Sequence, residues 1–184
     1  MEDRKRQFEQ AALPHLDAAY NLARWLTRND ADAQDVVQEA FLRAYRYFDG
    51  LRGGETRGWL LAIVRNTCFT WLRANRPADV SGGLDAEAES AGLYGDQDAY
   101  ATNPETLASM NFNKRTLNEA IAALPAVFRE VLVLRELEDL SYKDISRIVE
   151  VPIGTVMSRL SRARRLLQQS LRVIANASVA GKQK

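Results

Sequence analysis

The sequence predicts an all-α protein made of two small helical domains joined by a flexible acidic linker. Apolar residues recur at the three- and four-residue spacing of amphipathic helices, and the 184-residue chain contains only ten glycines and five prolines. One stretch of small and acidic residues lacks an apolar stripe and is too long for a loop inside one domain. We therefore place the domains at residues 1–76 and 110–176, the linker at 77–109 and a C-terminal tail at 177–184.

The first domain contains three predicted helical segments. Residues 4–28 carry apolar side chains at helical spacing, and Pro14 breaks or kinks that segment. Asp30 or Asp32 is positioned to cap the second helix, which ends before a glycine-containing loop, LRGGETRG. The third helix covers about residues 58–75 and closes before a proline.

The second domain contains four predicted helices. The first covers about residues 111–123, and Pro125 starts the next. Ser141 caps a short third helix, and Pro152 lies in the first turn of a long fourth one. A short helix, a turn of a few residues and a longer helix together predict a helix-turn-helix, a frame that places its second helix in the DNA major groove.

Charge is distributed unevenly, although the net charge is only +1. Residues 77–113 hold seven acidic side chains and no lysine or arginine, whereas residues 141–184 hold nine basic and two acidic side chains. Salt screens electrostatic fields, so each field acts only locally. The distribution of charge along the chain is therefore more informative about binding partners than the net charge. The basic C-terminal part favours a nucleic-acid partner, and the acidic linker repels one.

The residue inventory argues against an enzyme, a metal site and a membrane protein. Cys68 is the only cysteine and His15 the only histidine, which excludes an internal disulfide and disfavours a Cys/His zinc site. Phosphate-binding glycine loops and paired-carboxylate arrangements are also missing, so we expect no cofactor. The N-terminus is charged and no run approaches the roughly 20 apolar residues of a membrane helix, which fits a cytosolic protein.

The stretch VPIGTVMSRLSRARRLL predicts a DNA-binding helix. One arc of the helix is apolar and faces the core: Ile153, Val156, Leu160, Ala163 and Leu167. The opposite arc is small and polar, and is followed by arginines that reach base edges or phosphates: Thr155, Ser158, Arg162 and Arg165. Arg164 falls at the edge of the buried arc, where we expect it to snorkel or to pair within the protein.

The stretch GWLLAIVRNTCFTWLRANR supports two interpretations. Phe69 lies on the face opposite the apolar arc, between Arg65, Arg73 and Arg76, with Asn66 to one side. An exposed aromatic among arginines suits the stacking of unpaired bases, worth roughly 1–3 kcal/mol per base. Alternatively, Phe69 packs on a neighbouring helix and the arginines are solvated.

The stretch DAQDVVQEAFLRAYRYF predicts a helix with a mixed outer face. Asp35, Glu39 and Leu42 point away from the apolar arc, and Gln38 flanks them. A lone exposed leucine needs no explanation, but this combination also suits a protein-docking surface.

These three stretches also resemble the extracytoplasmic-function (ECF) sigma factors of the sigma-70 family. DAQDVVQEAFLRAYRYF is similar to the region 2 helix, and ETRGWLLAIVRNTCFTWLRANR is similar to the W-L-x-x-I-x-R-N signature that follows it. The third block, LPAVFREVLVLRELEDLSYKDISRIVEVPIGTVMSRLSRARRLL, resembles region 4. Their order, across an acidic linker, is strongly specific for the family.

The resemblance implies partners and site residues. The clamp helices of the largest subunit of core RNA polymerase would bind Asp35, Gln38, Glu39 and Leu42. The melted promoter −10 element would contact the LRGGETRG loop together with Arg65, Asn66, Phe69, Arg73 and Arg76. The −35 element would be read as duplex DNA by Thr155, Ser158, Arg159, Arg162 and Arg165. Relatives are usually controlled by an anti-sigma factor, and the linker resembles a segment that threads basic polymerase channels.

Two other functions remain open on the residues alone. A helix-turn-helix regulator would bind duplex DNA as a dimer and sense a signal through its N-terminal helices. Such a regulator needs neither an aromatic among arginines nor a polymerase-docking face, so the first domain argues against it. An enzyme is disfavoured by the residue inventory given above.

Overall fold

The computed structural model describes residues 2–50, 55–81 and 114–180, and every regular element within them is helical. The predicted all-α class is confirmed. Most of the predicted linker and the start of the LRGGETRG loop lie outside the described residues.

Within the described residues the first domain contains four α-helices, because Pro14 divides the first predicted segment in two. A 3-10 turn at Leu13–His15 holds the proline. The ring of Pro14 removes a backbone donor, so a continuous α-helix does not pass through it. The helices are α1 (Glu2–Ala12), α2 (Leu16–Thr27), α3 (Asp30–Tyr47) and α4 (Thr56–Asn75).

The cap of α3 is Asn29, and the prediction of Asp30 or Asp32 was wrong. The extended backbone of Asn29 lets its side-chain oxygen accept the backbone N–H of Asp32 at 3.0 Å. Asp30 instead accepts hydrogen bonds from Arg24 and Tyr20 of α2. Arg28, the residue before Asn29, caps the C-terminus of α2 in the left-handed region, and this turns the chain early enough to make Asn29 the cap of α3.

The second domain also contains four helices within the described residues. They are α5 (Lys114–Ala122), α6 (Ala126–Leu132), α7 (Tyr142–Val149) and α8 (Ile153–Ala180). A π-helical turn, Val133–Leu137, continues α6. The predicted cap Ser141 is confirmed, since its hydroxyl accepts the backbone N–H of Asp144 at 3.1 Å. Helix α8 passes the boundary predicted at residue 176 by four residues, ending at Ala180.

The predicted helix-turn-helix is formed by α7 and α8. Helix α7 ends at Glu150, whose left-handed backbone (φ 58°) turns the chain, and whose N–H bonds the carbonyl of Ser146. Val151 and Pro152 lead directly into α8. Ile145 and Ile148 of α7 pack in the same hydrophobic cluster as Val156 and Leu160 of α8, which fixes the two helices against each other.

The two domains pack against each other. Helix α4 contacts α2 and α3 of its own domain and also α7 of the second domain, and α2 contacts α6. One hydrophobic cluster therefore includes Leu22, Leu61 and Leu72 of the first domain together with Phe128 and Ile145 of the second.

Arg129 of α6 forms hydrogen bonds that connect the second domain to the end of α2. Its buried guanidinium donates to the carbonyls of Ala122 and Leu124 at 2.7 and 2.6 Å and to Leu26 of α2 at 3.3 Å. Burial, followed by repulsion from Arg28, lowers the pKa of Arg129 to about 10, so the group stays charged at neutral pH. The carbonyls that would otherwise lack partners at two helix ends thus share one cation.

Candidate nucleic-acid and polymerase interfaces

The outer face of α3 is exposed as predicted. Asp35, Gln38, Glu39 and Leu42 are all exposed, and 53% of Leu42 is accessible to solvent. Glu39 is held by Arg43 one turn away at 2.8 Å. The face thus combines a protruding aliphatic side chain with carboxylates and an amide.

A shallow groove beside this face was not anticipated from the sequence. Its walls come from α2 and α3: Leu16, Asp17, Tyr20, Gln34, Val37, Gln38 and Phe41. Gln38 belongs to both the groove and the outer face, so the two surfaces are continuous. The sequence analysis placed the apolar residues of α2 only at helical spacing, because the sequence of a single helix does not show where a neighbouring helix stops covering its apolar arc.

Phe69 is buried, and its predicted outward exposure was wrong. Only 2% of the residue is accessible. The guanidinium of Arg65 lies 4.1 Å from the centre of its ring, and the same guanidinium bonds Glu130 of the second domain at 2.7 and 3.0 Å. The burial of Phe69 agrees with the alternative interpretation of this helix, but Arg65, which that interpretation placed in solvent, is held in an inter-domain ion pair.

The other arginine-rich positions of α4 differ in exposure. Asn66 and Arg73 are exposed. Arg76 donates to the carbonyl of Thr27 at 2.7 Å and stacks over the ring of Trp71 at 5.4 Å. In this arrangement Asn66 and Arg73 are open to a ligand, whereas Arg65, Phe69 and Arg76 make contacts within the protein.

Helix α8 matches most of its predicted pattern. Val156, Leu160, Ala163 and Leu167 are buried as expected. Ile153 was expected in the core but is 44% exposed, because it begins the helix and lies beyond the hydrophobic cluster. Four of the positions predicted to face DNA are partly exposed: Thr155, Ser158, Arg162 and Arg165.

Two arginines of α8 bond acids of α6 and its continuation. Arg164 pairs with Glu136 at 2.6 Å, which confirms the expected pairing within the protein. Arg159, predicted to contact DNA, is only 7% exposed and lies 3.5 Å from Glu130. The contact with DNA that the resemblance implies is therefore not available in this arrangement, because Arg159 is buried against Glu130 of its own domain.

Glu130 and Glu138 form an inter-domain contact that the sequence analysis missed. Glu130 is fully buried, and Glu138 is 8% exposed. Glu138 accepts from Asn21 at 2.6 Å and from Arg57 at 2.9 Å, and its backbone carbonyl also accepts from Arg57 at 2.8 Å. A carboxylate inside the apolar run AVFREVLVL was the available signal, because a buried charge requires a partner.

Electrostatics strengthen the contact at Glu130. Burial alone lowers the pKa of Arg65, but the hydrogen bonds and charge of Glu130 outweigh it and raise the pKa overall. The nearby Cys68 thiol is also buried, and burial together with the charge of Glu130 raises its pKa to about 12. Cys68 is therefore a small buried side chain and not a reactive thiol.

The described residues contain no cluster of histidine, cysteine or carboxylate side chains suited to a metal ion. No helix within those same ranges is both long and apolar enough to cross a membrane.

Two family models match the chain in the order of its two domains. Residues 12–77 match sigma-70 region 2, and residues 114–167 match sigma-70 region 4. Together they include α2 to α4 and α5 to α7 with the first half of α8. They thus contain all three of the surfaces described above.

Two proteins that are similar to this chain over most of its length are named as RNA polymerase sigma factors. The RNA polymerase sigma-H factor of Pseudomonas aeruginosa is 35% identical over 91% of this chain and 87% of its own length. The ECF RNA polymerase sigma-E factor of Escherichia coli K12 is 38% identical over 76% of this chain and 74% of its own.

Solved structures show the same fold. The sigma factor RpoE of Bartonella quintana, in complex with the anti-sigma factor NepR, has a TM-score of 0.67 and 27% identity, covering 91% of this chain and 98% of that one. The structure of CnrH with the cytosolic domain of CnrY has a TM-score of 0.63 at 23% identity, with 92% and 90% coverage, and supports the fold alone.

The fold, the surfaces and these matches define a sigma factor, a subunit that binds core RNA polymerase and directs initiation at promoters without catalysing a reaction itself. The chain belongs to the extracytoplasmic-function group of the sigma-70 family. The resemblance stated from the sequence is therefore confirmed.

Proposed function

We propose that three surfaces of this sigma factor divide its work, and that an anti-sigma factor in the cytoplasm controls it. The observation that carries the proposal is the outer face of α3, where Leu42 protrudes 53% exposed among Asp35, Gln38 and Glu39. Glu39 pairs with Arg43 of the same helix, and the adjoining groove with Phe41 extends the face. This face binds the clamp helices of the largest polymerase subunit.

The −10 element binds α4 after its duplex has opened. Asn66 and Arg73 are exposed on this helix in the present arrangement. Arg65, with Phe69 beneath it, joins them when the second domain moves away and the contact with Glu130 breaks. Arg76 contacts Thr27 and Trp71 of its own domain, so it joins them by exchanging these contacts for the DNA strand. A ring beneath a guanidinium then offers an unpaired base a stacking partner beside a cation for its phosphate.

The −35 element binds α8 as duplex DNA. Arg162 and Arg165 lie about one and two turns beyond Ser158 on the partly exposed side of this helix, and Thr155 lies just before Ser158. Small side chains at its N-terminal end permit close approach to base edges, and the arginines reach guanine edges or phosphates. Arg159 takes part when it leaves Glu130.

Control by an anti-sigma factor is supported by the solved relative from Bartonella quintana, a sigma factor in complex with one. Because the two chains are 27% identical and each is covered almost completely, the comparison bears on function as well as on the fold. Such a partner would act on this chain before it joins polymerase.

Transcription in vitro tests the proposal. Core RNA polymerase is incubated with a genomic promoter library, with and without the protein, and the transcripts are sequenced. We expect new start sites that share upstream −10 and −35 sequences only when the protein is present. Identical transcripts in both reactions would reject the assignment, and a binding signal without initiation would favour the duplex-binding regulator instead.

A further inference from the structure

We propose that Ile153 and Met157 form an apolar contact surface at the start of α8, and that this surface reads the methyl groups of thymines in the −35 duplex. The inference rests on the proposed binding of duplex DNA by α8. It adds two specificity-determining residues to that helix, and an apolar kind of base recognition to contacts that are otherwise polar or charged.

The start of α8 exposes two large apolar side chains. Ile153 is 44% exposed and Met157 is 53% exposed. They stand four residues apart, so they lie on the same side of the helix. Between Ile153 and Ser158, the exposed residues are Ile153, Gly154 and Met157, and none of them is polar. A ligand that approaches this side of α8 therefore meets apolar surface first.

Polar side chains in the same part of α8 are engaged within the protein. The hydroxyl of Ser158 donates to the carbonyl of Thr155 at 3.0 Å. Arg159 lies 3.5 Å from Glu130. Recognition of a base by hydrogen bonds is thus restricted here, whereas apolar contact is available. The C5 methyl of thymine is the group in the major groove that an apolar side chain contacts.

Gly154 leaves space between the two apolar side chains. A methyl group added at Gly154 would meet no other atom of the protein within 4 Å, so the fold does not require a glycine there. Glycine is also less favourable than alanine inside a helix. The missing side chain is explained if a base edge or the DNA backbone approaches this turn closely.

The surrounding charge favours DNA as the ligand of the apolar pair. Helix α8 contains no acidic residue, and Arg162 and Arg165 follow the pair on its partly exposed side. Arginines beside a base-reading turn bind phosphates and set the orientation of the helix on the duplex. A neutral apolar partner would gain nothing from these cations.

The spacing of the pair predicts a pattern of bases. Side chains four residues apart are separated by about 6 Å along the helix axis. Successive base pairs are stacked about 3.4 Å apart. With α8 lying in the groove, Ile153 and Met157 reach base pairs that are adjacent or separated by one. We therefore expect thymines at two neighbouring positions of the −35 element, on either strand.

Selection from a duplex pool identifies these bases. The full chain, without polymerase, is mixed with short duplexes whose central segment is random, and the bound duplexes are recovered and sequenced over successive rounds. The parent chain should enrich thymine at two neighbouring positions. Met157→Ala should lose the preference at one position and Ile153→Ala at the other.

Removal of the methyl groups alone tests the contact. The enriched duplex is remade with deoxyuridine in place of thymidine at one position at a time, which preserves base pairing and every hydrogen-bonding group. Fluorescence anisotropy should show that the parent chain binds about fourfold more weakly for each methyl lost, the equivalent of burying one methyl group. Met157→Ala should bind both duplexes equally at its own position, whereas Met157→Leu, which keeps an apolar side chain, should retain the difference.

Two further variants serve as controls. Val173→Ala removes an apolar side chain that is 68% exposed on the same helix about four turns beyond Met157, and it should retain the full preference. Gly154→Ala should raise the thermal midpoint and yet weaken binding to the selected duplex, because the added methyl occupies the space for the DNA. Circular dichroism verifies that each variant is folded.

Equal binding of the thymine and uracil duplexes by the parent chain would overturn the inference, as would a selection that does not enrich thymine. A thymine preference that persists in both alanine variants would also overturn it, as would a loss of self-association in place of that preference, measured by sedimentation. None of these results affects transcription from the promoter library. Conversely, a chain that reads thymine methyls but never directs initiation would reject the proposed function and leave this inference standing.

Discussion

Burial changes what a substitution at Phe69 measures. An exposed stacking residue could be removed with little effect on folding, but a phenylalanine at 2% exposure belongs to the hydrophobic core. Phe69→Ala should therefore lower the free energy of unfolding by about 3–5 kcal/mol in addition to any loss of promoter melting. Urea unfolding checks this, and a loss below about 1 kcal/mol would show that the site is open in solution.

Asn66 provides the cleaner test of the −10 surface. It is exposed on the same helix, so Asn66→Ala should leave the unfolding free energy within about 0.5 kcal/mol of the parent. Open-complex formation, followed by permanganate reactivity of unpaired thymines, should nevertheless fall, while binding to −35 duplex stays the same. Unchanged promoter opening would remove Asn66 from the proposed surface.

Arg162 and Arg164 lie on the same helix but differ in their contacts, so Arg164 serves as the control for Arg162. Arg164 is bound to Glu136, whereas the Nε of Arg162 has no hydrogen-bond partner among the described residues. Arg162→Ala should weaken binding to −35 duplex by roughly 1–3 kcal/mol if this arginine reads a base, and Arg164→Ala should cost less. Titrations with altered duplexes distinguish the cases, since a loss equal on all sequences indicates a phosphate contact.

At the scale of elements, the start of α3 depends on one side chain. Asn29 satisfies the N–H of Asp32, an orphan donor in the first turn. Asn29→Ala should cost about 1 kcal/mol of stability, as typical caps do. Thermal unfolding measures the loss, with Gln34→Ala, an exposed interior position of the same helix, as the control that should change little.

The outer face of α3 acts as a unit in the proposed contact with polymerase. Leu42→Arg places a charge where an aliphatic side chain would be buried in the complex, so co-purification with core polymerase should be abolished. Tyr47→Arg is the matched control, since Tyr47 is 69% exposed near the end of the same helix but points elsewhere. Retained binding of the Leu42 variant, or equal loss in both, would refute this docking face.

At the scale of the whole molecule, the Cys68 thiol reports on whether the two domains are packed together. Burial raises its pKa to about 12, above the ordinary value, so at pH 8 the thiol is protonated and covered while the domains are packed. Ellman's reagent should react slowly with the parent chain and faster with the variant that carries Glu130→Gln and Glu138→Gln. Equal rates would mean that the first domain alone protects the thiol.

Much of this protein could be predicted from local patterns. The periodicity of α3 and α8 depends on the residues of each helix alone, so the exposed face with Leu42 and the core positions Val156 and Leu160 were both predicted correctly. The cap at Ser141 and the break at Pro14 follow from backbone chemistry within a few residues. The predicted cap of α3 was wrong by at least one residue, because Arg28 adopts a left-handed conformation that could not be predicted from the sequence.

By itself, the sequence determined the helical class, the order of the surfaces along the chain and the family to which they belong. Only the tertiary structure decided which of those surfaces are open. A helical wheel assigns each side chain to a face, but whether Phe69 or Arg159 meets solvent depends on what the rest of the fold places against that face. Glu130 pairs with Arg65 of the first domain and with Arg159 of its own domain, and Glu138 pairs with Arg57 of the first domain, because a buried carboxylate is stable only beside a cation.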